Sequence, residues 1–264
     1  MLFGGDYHDI ETEYDYFRAR YEADGVRNLN IFELNYGLTD PSPYNLRDME
    51  RDGIEHTKYS FYLQDMVNLN EQWILMLGAR FDDFEETDKE SGASYGDNDV
   101  SYRTGLTYKA SDDLSFYTSY SESFNPVSAS DFEESTGALE PTTGNQIEVG
   151  AKKEWLDGRI FTTFVYYQID KENLVQSNPD FGDQDKTPNI APLINYGLIE
   201  SEGVEIVVVG DISDKLSLTA NYAYNDTQVI EGDERNVSDD GTFVNAPKHQ
   251  AGIWFRYALE QYDS

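Results

Sequence analysis

Residues 139–174 contain two runs of alternating apolar and polar side chains with a tight turn between them. Side chains of a strand point to opposite faces in turn, so each run predicts a strand with one apolar and one polar face. The turn is Asp157-Gly158, and glycine accepts the positive φ that tight hairpin turns need. This stretch therefore predicts a β-hairpin.

Apolar and polar residues alternate clearly in the first strand of this hairpin and less clearly in the second. The first strand is expected to place on its apolar face Ile147, Val149, Ala151 and Trp155. Its polar face should carry Gln146, Glu148, Gly150, Lys152 and Glu154. For the return strand the alternation assigns to the apolar face Phe161, Val165, Tyr167 and Ile169. Phe164 and Tyr166 fall on the opposite face, which is therefore less polar than in the first strand.

The composition indicates which solvent the apolar faces meet. The chain of 264 residues is 14% aromatic, has a net charge of −32 and a mean hydropathy of −0.64. Aromatic-rich alternation between acidic loops is typical of an outer-membrane β-barrel, in which only every second residue of a strand meets lipid. No apolar run approaches the ~18 residues of a transmembrane helix. An all-β, antiparallel transmembrane barrel is therefore predicted.

Connections of two lengths support an up-and-down meander. Short turns are predicted near residues 70, 112, 157 and 213, and this alternation with long loops gives the sheet a turn edge and a loop edge, as in bacterial barrels. The predicted strands outside the first hairpin cover residues 1–9, 11–20, 29–36, 56–68, 72–84, 99–109, 114–123, 199–211, 216–227 and 248–259. Long loops are predicted over residues 37–47, 85–98, 124–143, 172–196 and 229–245.

Short motifs in a fixed order carry a family resemblance. Residues 139–141 (LEP) followed by 144–152 (GNQIEVGAK) resemble the barrel signature of TonB-dependent siderophore receptors, and residues 119–126 (SYSESFNP) are similar to the strand end before it. The further matches, in family order, are 62–65, 78–82, 156–159, 201–205, 220–226 and 245–249. Glu202 stands where the family often has a basic residue, and Val207 where an inward polar residue is usual.

The resemblance implies a 22-stranded barrel in the outer membrane of a Gram-negative bacterium, plugged by an N-terminal domain. Residues 1–264 would then be one incomplete portion of the barrel, without the plug domain and the terminal strands. The intact protein would take up an Fe(III)-siderophore with energy from the TonB complex, which acts through the plug. Outer-membrane lipid would surround it, and it would have no enzymatic activity, resident metal or covalently bound cofactor.

Candidate ligand-binding residues are aromatic side chains in the predicted outer loops, because aromatics give contact area at low entropic cost. They are Phe124, Phe132, Phe181 and Tyr196. Packing within the loops is the alternative role for each of them. The 51 acidic residues against 19 basic ones argue against nucleic acid as a partner and against long-range attraction of an anionic ligand.

Three other patterns are weaker. Residues 92–96 match the G-x-S-x-G motif of serine hydrolases around Ser94, but that motif needs a buried parallel strand before it and a helix after it. The acidic residues within 180–185 lack the spacing of a calcium loop, and three scattered histidines do not predict a metal site. A passive porin-like barrel and a soluble β-rich carbohydrate-binding module remain as alternative functions.

Overall fold

One antiparallel sheet of ten strands accounts for most of the computed structural model, which describes residues 1–15, 51–135, 139–178, 181, 192–195, 197–231, 243 and 245–259. The elements in chain order are β1 (Leu2–Asp15), β2 (Arg51–Asn68), β3 (Trp73–Asp88), β4 (Ser94–Ser111), β5 (Leu114–Asn125), α1 (Ala129–Glu134), β6 (Thr142–Trp155), β7 (Ile160–Glu172), β8 (Val175–Ser177), β9 (Leu193–Asn195), β10 (Leu198–Ser213), β11 (Leu216–Glu231) and β12 (His249–Tyr257). No helix in these ranges is long and apolar enough to cross a membrane.

The strands follow each other across the sheet in chain order, which confirms the predicted up-and-down meander. The order is β1-β2-β3-β4-β5-β6-β7-β10-β11-β12, and every pair is antiparallel. The short strands β8 and β9 form a separate two-stranded hairpin within the connection from β7 to β10. The described sheet is open, because β1 and β12 lie at opposite edges and do not pair with each other.

Tight turns occupy one edge of the sheet, as predicted. They join β2 to β3, β4 to β5, β6 to β7 and β10 to β11. In the turn from β6 to β7, Leu156, Asp157 and Gly158 all have positive φ, at 54°, 56° and 81°. In the turn from β2 to β3, the side-chain oxygen of Asn70 accepts hydrogen bonds from the N–H groups of Gln72 and Trp73, at 2.8 and 2.9 Å.

The predicted loop over residues 85–98 is wrong, because both flanking strands run further than expected. β3 continues to Asp88 and β4 begins at Ser94, so only residues 89–93 connect them. Asp88 closes this turn by accepting hydrogen bonds from the N–H groups of Glu90 and Ser91, at 3.0 and 2.7 Å. The acidic residues of this segment favour a loop. A strand can also carry them where it extends beyond the membrane, because both of its faces are then in water.

Two further boundaries differ from prediction. β1 runs without a break from Leu2 to Asp15, where a break near residue 10 was expected. β5 extends to Asn125, so Phe124 lies in a strand and not in a loop. The predicted strand 29–36, the predicted loop 37–47 and residues 16–20 lie outside the described residues.

Strand register shows which side chains share a face, since directly paired residues of an antiparallel sheet point the same way. Ser119, Glu148, Tyr167, Gly203 and Asn225 are successive partners across five neighbouring strands, from β5 to β11. The next row consists of Thr118, Val149, Tyr166, Val204 and Tyr224. The sheet therefore has a polar face, which carries the first row, and an apolar face, which carries the second.

The face assignment predicted for β7 is wrong. Tyr166 pairs with Val149 and Phe164 pairs with Ala151, so both aromatic residues lie on the apolar face. The residues assigned to that face from the sequence, which are Phe161, Val165, Tyr167 and Ile169, share the polar face with Glu154, Gly150, Glu148 and Gln146. Alternation alone did not separate the faces, because aromatic residues occur on both.

The apolar face is largely uncovered. Ile147, Val149 and Phe61 expose 48%, 51% and 62% of their surface. The fully buried apolar residues among those described form one small cluster near the loop edge, made of Phe84, Tyr95, Val127, Ala129 and Leu139. A face of this size and composition in a water-soluble domain would be covered by a second layer, so this sheet is suited to lipid on one side.

Candidate functional site

The centre of the polar face holds a cavity of about 490 Å³ between β5 and β12. Its wall is a hydrogen-bonded group around Asn225, whose side-chain oxygen accepts from the hydroxyls of Tyr167 at 3.0 Å and Ser201 at 2.6 Å. Glu148 and Glu205 also line the cavity. Among the residues that the structure describes, neither carboxylate forms a salt bridge, so this wall presents carboxylates and phenolic hydroxyls. Nζ of Lys152 lies 5.2 Å from the ring centre of Tyr117, which also lines the cavity.

A second polar group lies on β1 to β3 and is neutralised internally. Asp82 is only 7% exposed and accepts hydrogen bonds from Ser60 at 2.6 Å and from Arg80 at 2.9 Å. Lys58 forms a salt bridge with Asp82 at 3.0 Å, and Arg80 forms another with Asp6 at 3.3 Å. The two cations are therefore paired with carboxylates, and these ion pairs link β1, β2 and β3.

The loop edge of the polar face is covered by parts of two long connections. α1 packs on β3 and β4, where the ring of Phe132 lies 4.5 Å from that of Tyr95. Glu86 of β3 accepts a hydrogen bond from the N–H of Ala129 at 3.0 Å. Val175 and Leu193, from the β8–β9 hairpin, pack against the same apolar cluster. We call residues 126–135, 139–141, 173–178 and 192–195 the loop-edge cover.

The structure does not bring together the three sequence-predicted aromatics that it describes. Phe132 packs inside the loop-edge cover, whereas Phe124 is half-buried and pairs with Thr143, on the apolar side of the sheet. Phe181 is 56% exposed. Tyr196 lies outside the described residues. No sequence pattern predicted the cover or the group around Asn225, because both depend on which strands become neighbours.

The residues of the weaker sequence patterns lie in surroundings that indicate structural roles. Ser94 begins β4, and its hydroxyl lies 3.2 Å from that of Thr87 in an antiparallel hairpin with no helix after it. His56 packs edge-on against Phe84, with ring centres 4.7 Å apart, and Nδ1 of His249 lies 2.9 Å from the Tyr222 hydroxyl. Of the acidic segment 180–185, which lacks the spacing of a calcium loop, only Phe181 is described.

These features define a class of protein. A meander with an apolar face suited to lipid, a polar face with a cavity, short turns on one edge and mostly long connections on the other is the wall of a transmembrane β-barrel. Of the connections between the described strands at that second edge, only the one from β3 to β4 is short. Residues 1–263 match the family described as TonB dependent receptor-like, beta-barrel, and the chain belongs to that family. Members of this family are receptors of the Gram-negative outer membrane and not enzymes, which confirms the predicted class and location.

Similar proteins of known function are siderophore receptors. The chain is 29% identical over 264 residues to a ferrioxamine B receptor of Salmonella typhimurium, covering 98% of the chain and 34% of that protein. It is 28% identical over 248 residues to the ferric-pyoverdine M114 receptor of Pseudomonas sp. (strain M114), covering 87% of the chain and 29% of that protein. The chain thus spans about a third of the length of the curated relatives it matches.

Solved structures share the fold. The ferric-catecholate import receptor Fiu of Escherichia coli K12 superposes with a TM-score of 0.78 at 19% identity, over 97% of this chain and 38% of that one. The ferripyoverdine receptor of Pseudomonas aeruginosa, bound to ferripyoverdine, gives a TM-score of 0.70 at 18% identity, over 98% and 36%. Neither alternative function, porin or carbohydrate-binding module, is favoured by these matches.

Proposed function

We propose that the intact protein takes up a ferric siderophore across the outer membrane with energy from TonB, and that this chain forms part of its barrel wall. The observation that carries the proposal is the family match over residues 1–263 together with relatives named as ferric-pyoverdine and ferrioxamine B receptors. In this proposal the rest of the protein supplies the plug domain, through which TonB acts, and the strands that complete a barrel of 22.

The surface charge favours one class of siderophore. With 51 acidic and 19 basic residues, the chain repels anions at long range. The carboxylates of Glu148 and Glu205 have the same sign at the centre of the polar face, and the cations Lys58 and Arg80 are already paired. A neutral or cationic ferric chelate, such as a trihydroxamate, is therefore a better fit than an anionic tricatecholate.

Three of the four aromatic residues predicted from the sequence remain the proposed ligand-binding residues. They are Phe132, Phe181 and Tyr196, whereas Phe124 is left out because it lies in β5 on the apolar side of the sheet. Phe181 is exposed enough to meet a ligand directly, and Phe132 would act by shaping the loop-edge cover. Replacing all three by alanine in the intact receptor should weaken ferric-siderophore binding, measured by equilibrium titration. Unchanged affinity would remove these residues as candidates.

Uptake itself is tested in cells that lack their own siderophore receptors. The intact protein should restore growth in iron-limited medium when a ferric trihydroxamate is supplied, and radioactive iron should accumulate in the cells. Deleting the tonB gene should abolish both effects, because a gated receptor needs an energy source. Accumulation that persists without TonB would indicate a passive porin and would contradict the proposal.

A further inference from the structure

Asn195 makes three hydrogen bonds to two separate segments of the chain. Its side-chain NH₂ donates to the carbonyl oxygens of Glu140 and Asn173, each at 2.8 Å. Its side-chain oxygen accepts from the N–H of Glu140. The amide thus pairs with both backbone groups of Glu140 as a neighbouring strand would, and this pairing also fixes which way the amide points.

Two of these bonds, those to Glu140, cross between connections that are far apart in sequence. Glu140 belongs to the connection from β5 to β6, whereas Asn173 and Asn195 belong to the connection from β7 to β10. Asn173 has a φ of 57°, a left-handed conformation that asparagine tolerates better than most residues. Its carbonyl also accepts a hydrogen bond from the hydroxyl of Thr142 at 3.0 Å. The carbonyl of Asn173 is therefore held by the first residue of β6 and by Asn195 of its own connection.

The joined segments are also anchored to the sheet. Leu139, directly before Glu140, is 5% exposed in the apolar cluster with Phe84 and Tyr95. Val175 is paired with Asn195 in the β8–β9 hairpin and packs on the same cluster. Directly beyond the pair Ser177 and Leu193, the N–H of Asn178 donates to the carbonyl of Pro192 at 2.7 Å. This bond extends the pairing of β8 with β9 within the loop-edge cover.

We propose that Asn195 is a positioning residue that joins the two long connections into one rigid unit at the loop edge, and so fixes the shape of the entrance to the polar face. The nature of the ligand in this inference rests on the proposed function, whereas the link between the two connections does not. A cover that is already held in one arrangement loses less conformational entropy when a ligand binds. Asn195 therefore contributes to affinity without contacting the ligand.

Hydrogen–deuterium exchange of the intact receptor tests the join without any ligand. Asn195→Ala should speed exchange in peptides from both 139–142 and 173–178 by about ten-fold, because local opening there becomes easier. Asn195→Asp has nearly the same volume but lacks both donors, so it should behave like the alanine variant. Asn70→Ala is the matched control, since Asn70 also bonds two backbone groups but lies at the turn edge.

Binding and uptake then test the positioning role. With a ferric trihydroxamate as probe, Asn195→Ala should raise Kd about ten-fold, mostly through faster dissociation, and leave the maximal uptake rate at saturating ligand unchanged. Faster exchange in only one of the two segments, or wild-type behaviour of Asn195→Asp, would overturn the join. Wild-type affinity despite faster exchange in both would overturn the positioning role. A wild-type receptor that binds no probe would contradict the trihydroxamate preference of the proposed function, and exchange would still decide the join.

Discussion

Gly150 lies beneath the ring of Tyr117 on the polar face, where a β-carbon would overlap the ring. Gly150→Ala therefore has to displace Tyr117, and we expect it to lower the free energy of unfolding of the intact receptor by about 1–3 kcal/mol, as overpacking does. Gly78→Ala is the matched control, because its β-carbon would have 3.6 Å to the nearest atom, the carbonyl oxygen of Leu63. Denaturant unfolding in lipid vesicles measures both, and equal stability of the two variants would contradict the prediction.

Asp113, in the turn from β4 to β5, has a pKa below its ordinary value of 3.8, chiefly because Lys153 donates a hydrogen bond to it and secondly because Ser111 does. A lowered pKa means that Asp113 stabilises the turn above pH 3.8, and that this contribution is lost as the pH falls through the folded-state pKa. Lys153→Met should raise the pKa of Asp113 towards 3.8. Carboxyl-carbon NMR titration measures it, with Lys109→Met as the control, and an unchanged pKa would exclude Lys153 as the main cause.

At the scale of the strand, residues on the two faces of β6 meet different solvents. Val149 lies on the apolar face and Gln146 on the polar face, both near the middle of the strand. Val149→Arg should destabilise the receptor in a bilayer by about 2–4 kcal/mol, since it places a charge in lipid near the midplane. Gln146→Arg should cost much less, because the polar face of a barrel is wet. Folding equilibria in lipid vesicles compare the two, and similar costs would mean that the faces are assigned wrongly.

The connections are also elements with defined structure. The turn between β3 and β4 is tied to β1 by Lys89, which pairs with Glu11 and Glu13. Hydrogen bonds to these carboxylates raise the pKa of Lys89, and the bond to Glu11 contributes more than the bond to Glu13. The loop-edge cover is tied to the sheet by the cluster around Phe84 and to itself by Asn195. At this edge the acidic segments are therefore partly ordered, although their composition resembles that of solvated loops.

At the scale of the molecule, the open sheet predicts how the isolated chain behaves. Within the described residues, β1 pairs only with β2 and β12 only with β11, so each edge presents unpaired backbone groups. Open edges beside an exposed apolar face favour pairing between copies. The 264-residue chain in detergent should therefore form oligomers of mixed size, measured by size-exclusion chromatography with light scattering. The intact receptor is the control, and a uniform monomer of the isolated chain would contradict this expectation.

Sequence alone determined most of the strands, their meander and the class of protein, because side-chain alternation and turn chemistry are local properties. It placed the β3–β4 connection and the bounds of β1 and β5 wrongly. The turn at Asp157-Gly158 and the alternation through β11 are examples that the structure confirms. The family followed from motifs that survive in a fixed order along the chain. None of these inferences needs a contact between residues that are distant in sequence.

Tertiary structure decided the features that depend on which residues become neighbours in the fold. Moving a strand by one residue exchanges its faces, and only pairing with Val149 and Ala151 shows that Tyr166 and Phe164 face the apolar side. The length of the β3–β4 hairpin required the pairing of Glu86 with Tyr95, and the loop-edge cover required Asn195 to reach Glu140. Such contacts join residues up to 55 positions apart, so no local pattern records them.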